Sequence, residues 1–247
     1  MTQVRLVARW LFAAAVLVLD GCATTAAGTR GDPLEGLNRA VFSFNETLDQ
    51  ELLKPAATSY QAIVPEFVRN SIENFFSNFN DGWSAVNHLL QAKPAAALEM
   101  GLKFSVNTVF GFGGLVDIAG EGIERRSEDF GQTLGRWGIG PGPYLVLPLL
   151  GPSTLRDTAA LAADWQAIPE AFVEEGLGRW ALSTLHVISV RASLLSATRA
   201  LDEIALDKYS LVRDGYLARR RNLVYDGNPP DEPEPADTDA TGGTAPK

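Results

Sequence analysis

Residues 65–79 read PEFVRNSIENFFSNF, and their spacing decides the fold class. On a helical wheel, Val68, Ile72, Phe75, Phe76 and Phe79 fall within about one third of the circumference. Asn70, Asn74 and Asn78 lie opposite, with Glu66, Arg69 and Glu73 between the two faces. That period belongs to a helix; a half-buried strand would alternate instead. Helical spacing continues outward in both directions. Upstream, Asp32-Pro33 offers an N-cap with proline at the first helical position. Leu37, Val41, Phe44 and Leu48 then share one face, and Asn38, Phe42, Asn45 and Asp49 another. Downstream, a short helix is expected over Gly82–Gln91 and another from Pro94 to about Phe110. The latter carries only Glu99 and Lys103 as charges, an i,i+4 pair in the favourable order. Such an almost wholly apolar helix is either central in the core or in contact with lipid. Stretches near 153–163 and 179–206 are also helical, and the last helix runs about 207–225, ending in Arg219-Arg220-Arg221. Alternating segments of about ten residues, as a membrane barrel needs, are missing. The expectation is an all-α fold in a single domain over 32–226.

The 247 residues leave room for a real core, and 46 % apolar with 21 % charged residues is globular composition. The formal charge of −9 speaks against nucleic acid, which needs a basic face. One cysteine and two histidines, His88 and His186, exclude a multi-Cys/His zinc site; no metal and no cofactor is expected.

Residues 1–21 read as a lipoprotein signal peptide. Arg5 and Arg9 form a positive start, and Trp10 to Leu19 is an apolar run of ten residues, too short to span a bilayer. Leu19-Asp20-Gly21-Cys22 looks like a bacterial lipobox, although Asp20 stands where that pattern has a small uncharged residue. Cys22 is then the lipid anchor and the first mature residue. Residues 22–31 are a lipidated tether, and Ala23, rather than aspartate, after the cysteine points to the outer membrane. Several acyl chains together anchor firmly, at about 0.8 kcal/mol per buried methylene. Residues 227–247, with five prolines, five acids and one lysine, read as a disordered acidic tail.

The globular pattern breaks at residues 137–152, WGIGPGPYLVLPLLGP. No helix runs through this sequence, and its prolines disfavour an interior strand. Yet Tyr144 to Leu150 is apolar apart from the tyrosine hydroxyl, a sticky patch if exposed to water. A hairpin buried in protein fits, and so does one dipping into a lipid leaflet.

The run Asp32-Pro33-Leu34-Glu35-Gly36 with Asn38-Arg39 resembles the opening of the VacJ (MlaA) outer-membrane phospholipid-transport lipoproteins. So do Phe42, Phe44 and Asn45, then Arg69-Asn70 with Asn74-Phe75, and Asn107 followed by Gly113-Gly114. The strongest block is Glu128-Asp129-Phe130-Gly131-Gln132-Thr133-Leu134-Gly135, running through Gly142-Pro143-Tyr144 to Thr154-Leu155-Arg156-Asp157. Tyr209, Arg213 and Tyr216 match the family's ending, so the resemblance covers about 32–225. It implies a ring of in-plane amphipathic helices in the periplasmic leaflet of the outer membrane, around a central amphipathic channel. It further implies removal of mislocalised phospholipid from the outer leaflet, beside a trimeric porin, with delivery to a soluble periplasmic lipid carrier.

Moving a headgroup through hydrocarbon costs several kcal/mol or more for each unpaired charge, so such a protein needs a polar track. Asn45, Asn70, Asn74 and Asn78 are the candidate channel-lining residues, offering donors and acceptors without fixed charge. The same positions read equally well as a solvated face or as helix-to-helix hydrogen bonds. The candidate gate loop comprises Gly138, Gly140, Pro141, Gly142, Pro143, Tyr144 and Pro148, flexible at its glycines and stiff at its prolines. Arg156-Asp157 is either an ion pair pinning the base of that loop or a weak surface pair. Arg219–Arg221 reads as facing lipid phosphate or a partner, or as a solvated helix end. No phosphate-binding G-x-x-x-x-G-K-[ST] motif provides energy coupling.

Two rivals stand beside transport. A membrane-anchored lipid hydrolase would need an activated serine, but G-x-S-x-G is absent and both histidines read as packed or surface residues. Glu128-Asp129 reads as N-terminal helix charge rather than as a catalytic pair, so no catalytic residue is expected. A structural, porin-associated envelope lipoprotein would carry no lipid at all.

Overall fold

The structure, a computed structural model, describes residues 32–230; Cys22, the signal segment, the tether up to residue 31 and the tail from residue 231 lie outside the described residues. Helices α1 (Glu35–Leu48), α2 (Lys54–Ile63), α3 (Glu66–Leu90) and α4 (Pro94–Val109) come first. A short α5 (Phe130–Arg136) precedes strands β1 (Tyr144–Leu147) and β2 (Gly151–Thr154), and α6 (Leu155–Asp164), α7 (Leu177–Ser193), α8 (Leu195–Ile204) and α9 (Lys208–Val224) follow.

Several local expectations shift. Asp32 does not cap α1, whose N-cap position is Leu34 without a side-chain bond. Asp32 is instead buried, accepting from Asn38 Nδ2 at 2.8 Å and from the Tyr209 hydroxyl. A π-helical segment, Asp49–Leu53, joins α1 to α2. It ends two residues before Pro55, which has no N–H to continue the ordinary ladder. The two helices expected over 65–79 and 82–91 are one helix of 25 residues. Gly82 sits inside it because a Cβ there would lie 3.2 Å from the Phe104 ring of α4, so it serves close packing rather than a break. The 179–206 stretch divides at Leu194 into α7 and α8. The Glu99–Lys103 pair does not form. Lys103 is buried and bonds Asp117 Oδ1 at 3.0 Å and the Ile123 carbonyl at 3.1 Å, while Glu99 meets Arg126 at 3.2 Å.

The Gly/Pro loop contains an antiparallel hairpin, pairing Tyr144 with Thr154 and Leu147 with Gly151. Proline is accommodated because the hairpin has only two strands, so both are edges. The outer edge of β1 is covered by two asparagines of α1, seven residues apart. Asn38 donates to the Tyr144 carbonyl at 3.0 Å and accepts from the Val146 N–H at 2.9 Å. Asn45 does the same for the Leu147 carbonyl and the Leu149 N–H, both at 2.9 Å. Their side-chain amides thus stand in for a third strand and leave no bare edge there.

Burial is inverted relative to a water-soluble globule. Among the described residues, the buried apolar set is short: Ala57, Ala192 and Leu195 form one cluster, and Tyr144, Val146 and Tyr209 another. The buried face of α3 runs through Asn78, Asp81, Ser84, Asn87 and His88, and that of α4 through Lys103 and Asn107. Large apolar side chains point outward instead, among them Phe67, Phe112, Leu177, Trp180, Ile204 and Leu206. An exposed apolar surface of that extent marks contact with lipid or protein rather than water. Among the described residues, no helix is long and apolar enough to cross a membrane.

Candidate functional site

Three cavities adjoin one another. The first, about 410 Å³, lies between α3 and α7; Glu73, Phe76, Phe79 and Trp83 line one side, His186, Ser189 and Val190 the other, and Asp129 and Asp164 also line it. The second, about 140 Å³, sits under the hairpin against Leu147, Leu150 and Pro152, and it shares Asp129 and Asp164 with the first. The third, about 750 Å³, lies between α9 and the 135–141 arm of the Gly/Pro loop; it meets the second at Arg220.

What separates the cavities is therefore a cluster of side chains. Arg220 of α9 donates from Nε to Asp157 Oδ2 at 3.0 Å, and from Nη2 to Asp157 Oδ1 at 2.8 Å and to Asp129 Oδ1 at 3.0 Å. Its Nη1 bonds Asp129 Oδ2. Tyr216 donates to Asp157 Oδ2 at 2.9 Å, and Arg156 Nε donates to Asp157 Oδ1 at 2.9 Å. The helix turns position these groups. Tyr209, Arg213, Tyr216, Arg220 and Val224 follow i, i+4, i+7, i+11, i+15 along α9 and so share one face. Asp129 is the N-cap of α5, accepting from the Gln132 N–H at 2.8 Å. Glycines make the space: a Cβ at Gly131 would lie 2.5 Å from Asp157 Oδ1, and one at Gly135 would lie 2.7 Å from Arg156 Nη1.

Burial alone would raise the carboxyls of Asp129 and Asp157, but the Arg220 guanidinium outweighs it and holds both below the ordinary aspartate range. Asp164 behaves differently. Burial pushes its carboxyl up, although the Phe130 N–H at 2.9 Å and Trp83 Nε1 at 2.7 Å both donate to its Oδ1. Among the described residues, no group of three or more His, Cys, Asp or Glu stands ready to hold a metal ion.

The structure does not gather the four candidate asparagines in one place. Asn45 is tied to the hairpin tip as described. Asn78 is buried, donates to Thr108 Oγ1 at 2.9 Å, and lies so close to Gly114 that a Cβ there would sit 2.6 Å from its own. Asn74 is half-buried and reaches the Leu115 carbonyl at 3.4 Å, and Asn70 is exposed. The candidate gate residues stay together. Gly138, Gly140, Pro141 and Gly142 form an exposed arm, Pro143 is half-buried, Tyr144 is buried at the hairpin base, and Pro148 stands exposed at its tip beside Leu149, whose φ is +69°. The arm is fastened to α6: the Leu155 N–H donates to the Pro143 carbonyl and the Arg156 N–H to the Pro141 carbonyl, both at 3.1 Å. The Arg156–Asp157 pair at that junction is buried, not superficial.

A sequence model of the MlaA lipoprotein family matches residues 30–223. The chain belongs to the MlaA lipoprotein family. It is 35 % identical over 224 residues to the intermembrane phospholipid transport system lipoprotein MlaA of Escherichia coli (strain K12), covering 85 % of this chain and 86 % of that protein. The Haemophilus influenzae protein of the same description is 32 % identical over 221 residues, covering 85 % and 88 %. A solved structure reported under the words "Structural basis for maintenance of bacterial outer membrane lipid asymmetry" superposes with a TM-score of 0.68 at 36 % identity, covering 78 % of this chain and 98 % of that one.

In this MlaA family member, the Glu128–Gly135 block and the Thr154–Asp157 block meet at one place, the partition between the cavities. Sequence reasoning missed three of its groups. Arg220 was hidden in a triple-arginine run, but the i, i+4, i+7, i+11 spacing from Tyr209 singles it out from Arg219 and Arg221. Asp164 and Trp83 carry no local signal, because only the packing of α3 against the end of α6 joins them.

Proposed function

We propose that this chain is an outer-membrane lipoprotein, anchored through Cys22 in the periplasmic leaflet. It draws mislocalised phospholipid from the outer leaflet and passes it to a soluble periplasmic carrier, beside a trimeric porin, so that lipid asymmetry is maintained. The helices lie in the membrane plane as a ring, and the three adjoining cavities are its passage. The observation that carries this reading is the inversion of burial: polar side chains and ion pairs inside, bordering the cavities, and large apolar side chains outside. A lipid with two sixteen-carbon chains costs on the order of 20 kcal/mol to expose to water, so its tails stay among the outward apolar groups. Only the headgroup needs the interior, and cavities of this size hold a headgroup while excluding both tails. The E. coli and H. influenzae relatives, described as phospholipid transport lipoproteins, support the same assignment.

The hairpin is the gate of this passage. Leu147, Leu150 and Pro152 roof the second cavity, and Asn45 holds the tip closed. Opening requires release of the Asn45 bonds and movement about the Gly138–Gly142 arm. Asn70 and Asn74, the less enclosed members of the asparagine stripe, guide the headgroup along α3 toward Glu73, while Asn45 and Asn78 act through the elements they hold. Bridging Asn45→Cys to Leu149→Cys should stop phospholipid clearance, with recovery on reduction and an unchanged helical spectrum. Normal clearance in the bridged protein would discard the gate.

A hydrolase reading has one observation in its favour: His186 Nδ1 lies 2.8 Å from Glu170 Oε1, with Ser189 one turn further along α7. Among the described residues the Ser189 hydroxyl has no hydrogen-bond partner, so no proton path within them links it to the imidazole. Clearance that survives His186→Ala and His88→Ala separates transport from hydrolysis. Lipid extracted from protein purified in mild detergent separates transport from a purely structural role.

A further inference from the structure

The first cavity is electrostatically one-sided. Its lining holds three carboxylates, Glu73, Asp129 and Asp164, and neither lysine nor arginine. Of these, Asp129 is neutralised by Arg220, whose Nε, Nη1 and Nη2 all donate to Asp129 or Asp157. The other two carboxylates are differently placed. Asp164 uses only Oδ1, for Trp83 Nε1 and the Phe130 N–H, and its Oδ2 has no hydrogen-bond partner among the described residues. Glu73 makes no ion pair among them. Across the same cavity stands Ser189, 1 % exposed, whose hydroxyl is also without a partner. A buried hydroxyl left unmatched in this way costs free energy that a suitable ligand would recover, and the two half-buried carboxylates beside it are free to pair with a cation.

We propose that this cavity is an ammonium subsite, and that the passage favours phospholipids whose headgroup bears a primary ammonium over those whose headgroup is anionic. The proposal rests on the passage reading above and gives it a substrate class. A primary ammonium carries three N–H donors, which match Asp164 Oδ2, the Glu73 carboxylate and the Ser189 oxygen, with the aromatic faces of Phe76, Phe79 and Trp83 close by in the same wall. A glycerol headgroup leaves the lipid with a net negative charge and brings no cation to these carboxylates. It would enter a low-dielectric cavity against like charge. A quaternary ammonium keeps the charge but has no N–H to donate, so phosphatidylcholine falls between the two.

The test is a competition on the full-length lipidated protein in mild detergent. Dioctanoyl phosphatidylethanolamine, dioctanoyl phosphatidylcholine and dioctanoyl phosphatidylglycerol are offered in equal amounts, and bound lipid is counted by native mass spectrometry. The ethanolamine lipid should exceed the glycerol lipid about tenfold, as one charge-assisted hydrogen bond dictates. Asp164→Asn should bring the two toward parity, Asp164→Glu should keep the preference, and Ser189→Ala should lower it about threefold. Equal or greater binding of the glycerol lipid to the unmutated protein overturns the subsite while leaving the passage intact. Binding of none of the three lipids overturns the passage reading itself. A preference that persists in folded Asp164→Asn removes the subsite from this cavity. Should that variant not fold, the competition on the unmutated protein and on Ser189→Ala decides alone.

Discussion

Two regions of the molecule hold themselves together by opposite means. Where α5, α6 and α9 meet, the contacts are charged and nearly saturated: Asp129, Asp157, Arg156, Arg220 and Tyr216 form one hydrogen-bonded cluster in which the guanidiniums and carboxylates balance. Where α2, α7 and α8 meet, the buried contact is small and apolar, Ala57 against Ala192 and Leu195. Yet α7 and the segments around it expose Phe172, Leu177, Trp180 and Ile204. The first region has its stabilising partners within the chain. The second leaves much of its apolar surface for another phase to cover. Hydrophobic burial within the protein therefore explains little of the fold here, and internal polar satisfaction explains more, which is the reverse of a soluble domain.

Arg220→Ala breaks that comparison most severely. It takes the cation from half-buried Asp129 and leaves buried Asp157 with Arg156 alone, a loss of about 3 kcal/mol, at the low end for buried ion pairs because Asp129 is partly solvated. Denaturant unfolding in detergent measures it, and a loss below about 1 kcal/mol would show the cluster to be water-filled rather than tightly paired. The same cluster sets a pH dependence. Asp129 and Asp157 have folded-state values depressed by Arg220 below the ordinary carboxylate value of about 3.9. Their contribution is complete above that value and is lost as pH falls through the lower folded values. Stability should thus decline on acidification below about pH 4, and Arg220→Ala should flatten that decline.

Asn38→Ala comes next. Asn38 is 1 % exposed, and its removal strands the Val146 N–H, the Tyr144 carbonyl and one oxygen of Asp32, for a loss of about 2–3 kcal/mol. Asn45→Ala, nearer the surface, should cost about 1 kcal/mol globally while speeding amide exchange at Leu149 more than at Val146. Equal acceleration at both amides would mean that the hairpin opens as one body and that Asn45 is not its separate latch.

How much of this was legible beforehand follows from what kind of interaction each feature needs. The helices were readable because the 3.6-residue period survives even when the buried side is polar: α3 shows the period whether its aromatic or its asparagine face is followed. Which face turns inward was not readable from α3 alone. The aromatic arc resembles a core stripe, whereas the deepest positions continue from Asn78 through Asp81 and Ser84 to His88. The Gly/Pro loop announced a hairpin, but its supporting strand is made of asparagine side chains 102 to 108 residues away in sequence, for which no local pattern exists. Gly82 looked like punctuation because a glycine in a helix costs about 1 kcal/mol, and only the Phe104 ring across the interface explains it. In the site, Asp129 and Arg156-Asp157 stood out through their motifs, Arg220 through spacing that lay unused, and Asp164 not at all.

The smallest effect expected from sequence rules is the one that tests the second region. In water, an exposed tryptophan is cheap to replace, within about 0.5 kcal/mol. Trp180 is 74 % exposed on α7, and Trp180→Asp removes no described contact beyond its backbone bonds. If lipid covers this face, the variant should unfold at nearly the same denaturant concentration in detergent micelles, because a micelle tolerates a single charge at its rim. In liposomes of phosphatidylethanolamine and phosphatidylglycerol it should bind measurably more weakly, since an interfacial tryptophan is exchanged for a charge that must stay in water. A change in the micelle unfolding midpoint as large as that of Asn45→Ala would place Trp180 in an internal contact. Unchanged liposome binding would give the covering of this face to protein instead of lipid. Either result would leave the charged cluster around Arg220 where it is, because that region depends on nothing outside the chain.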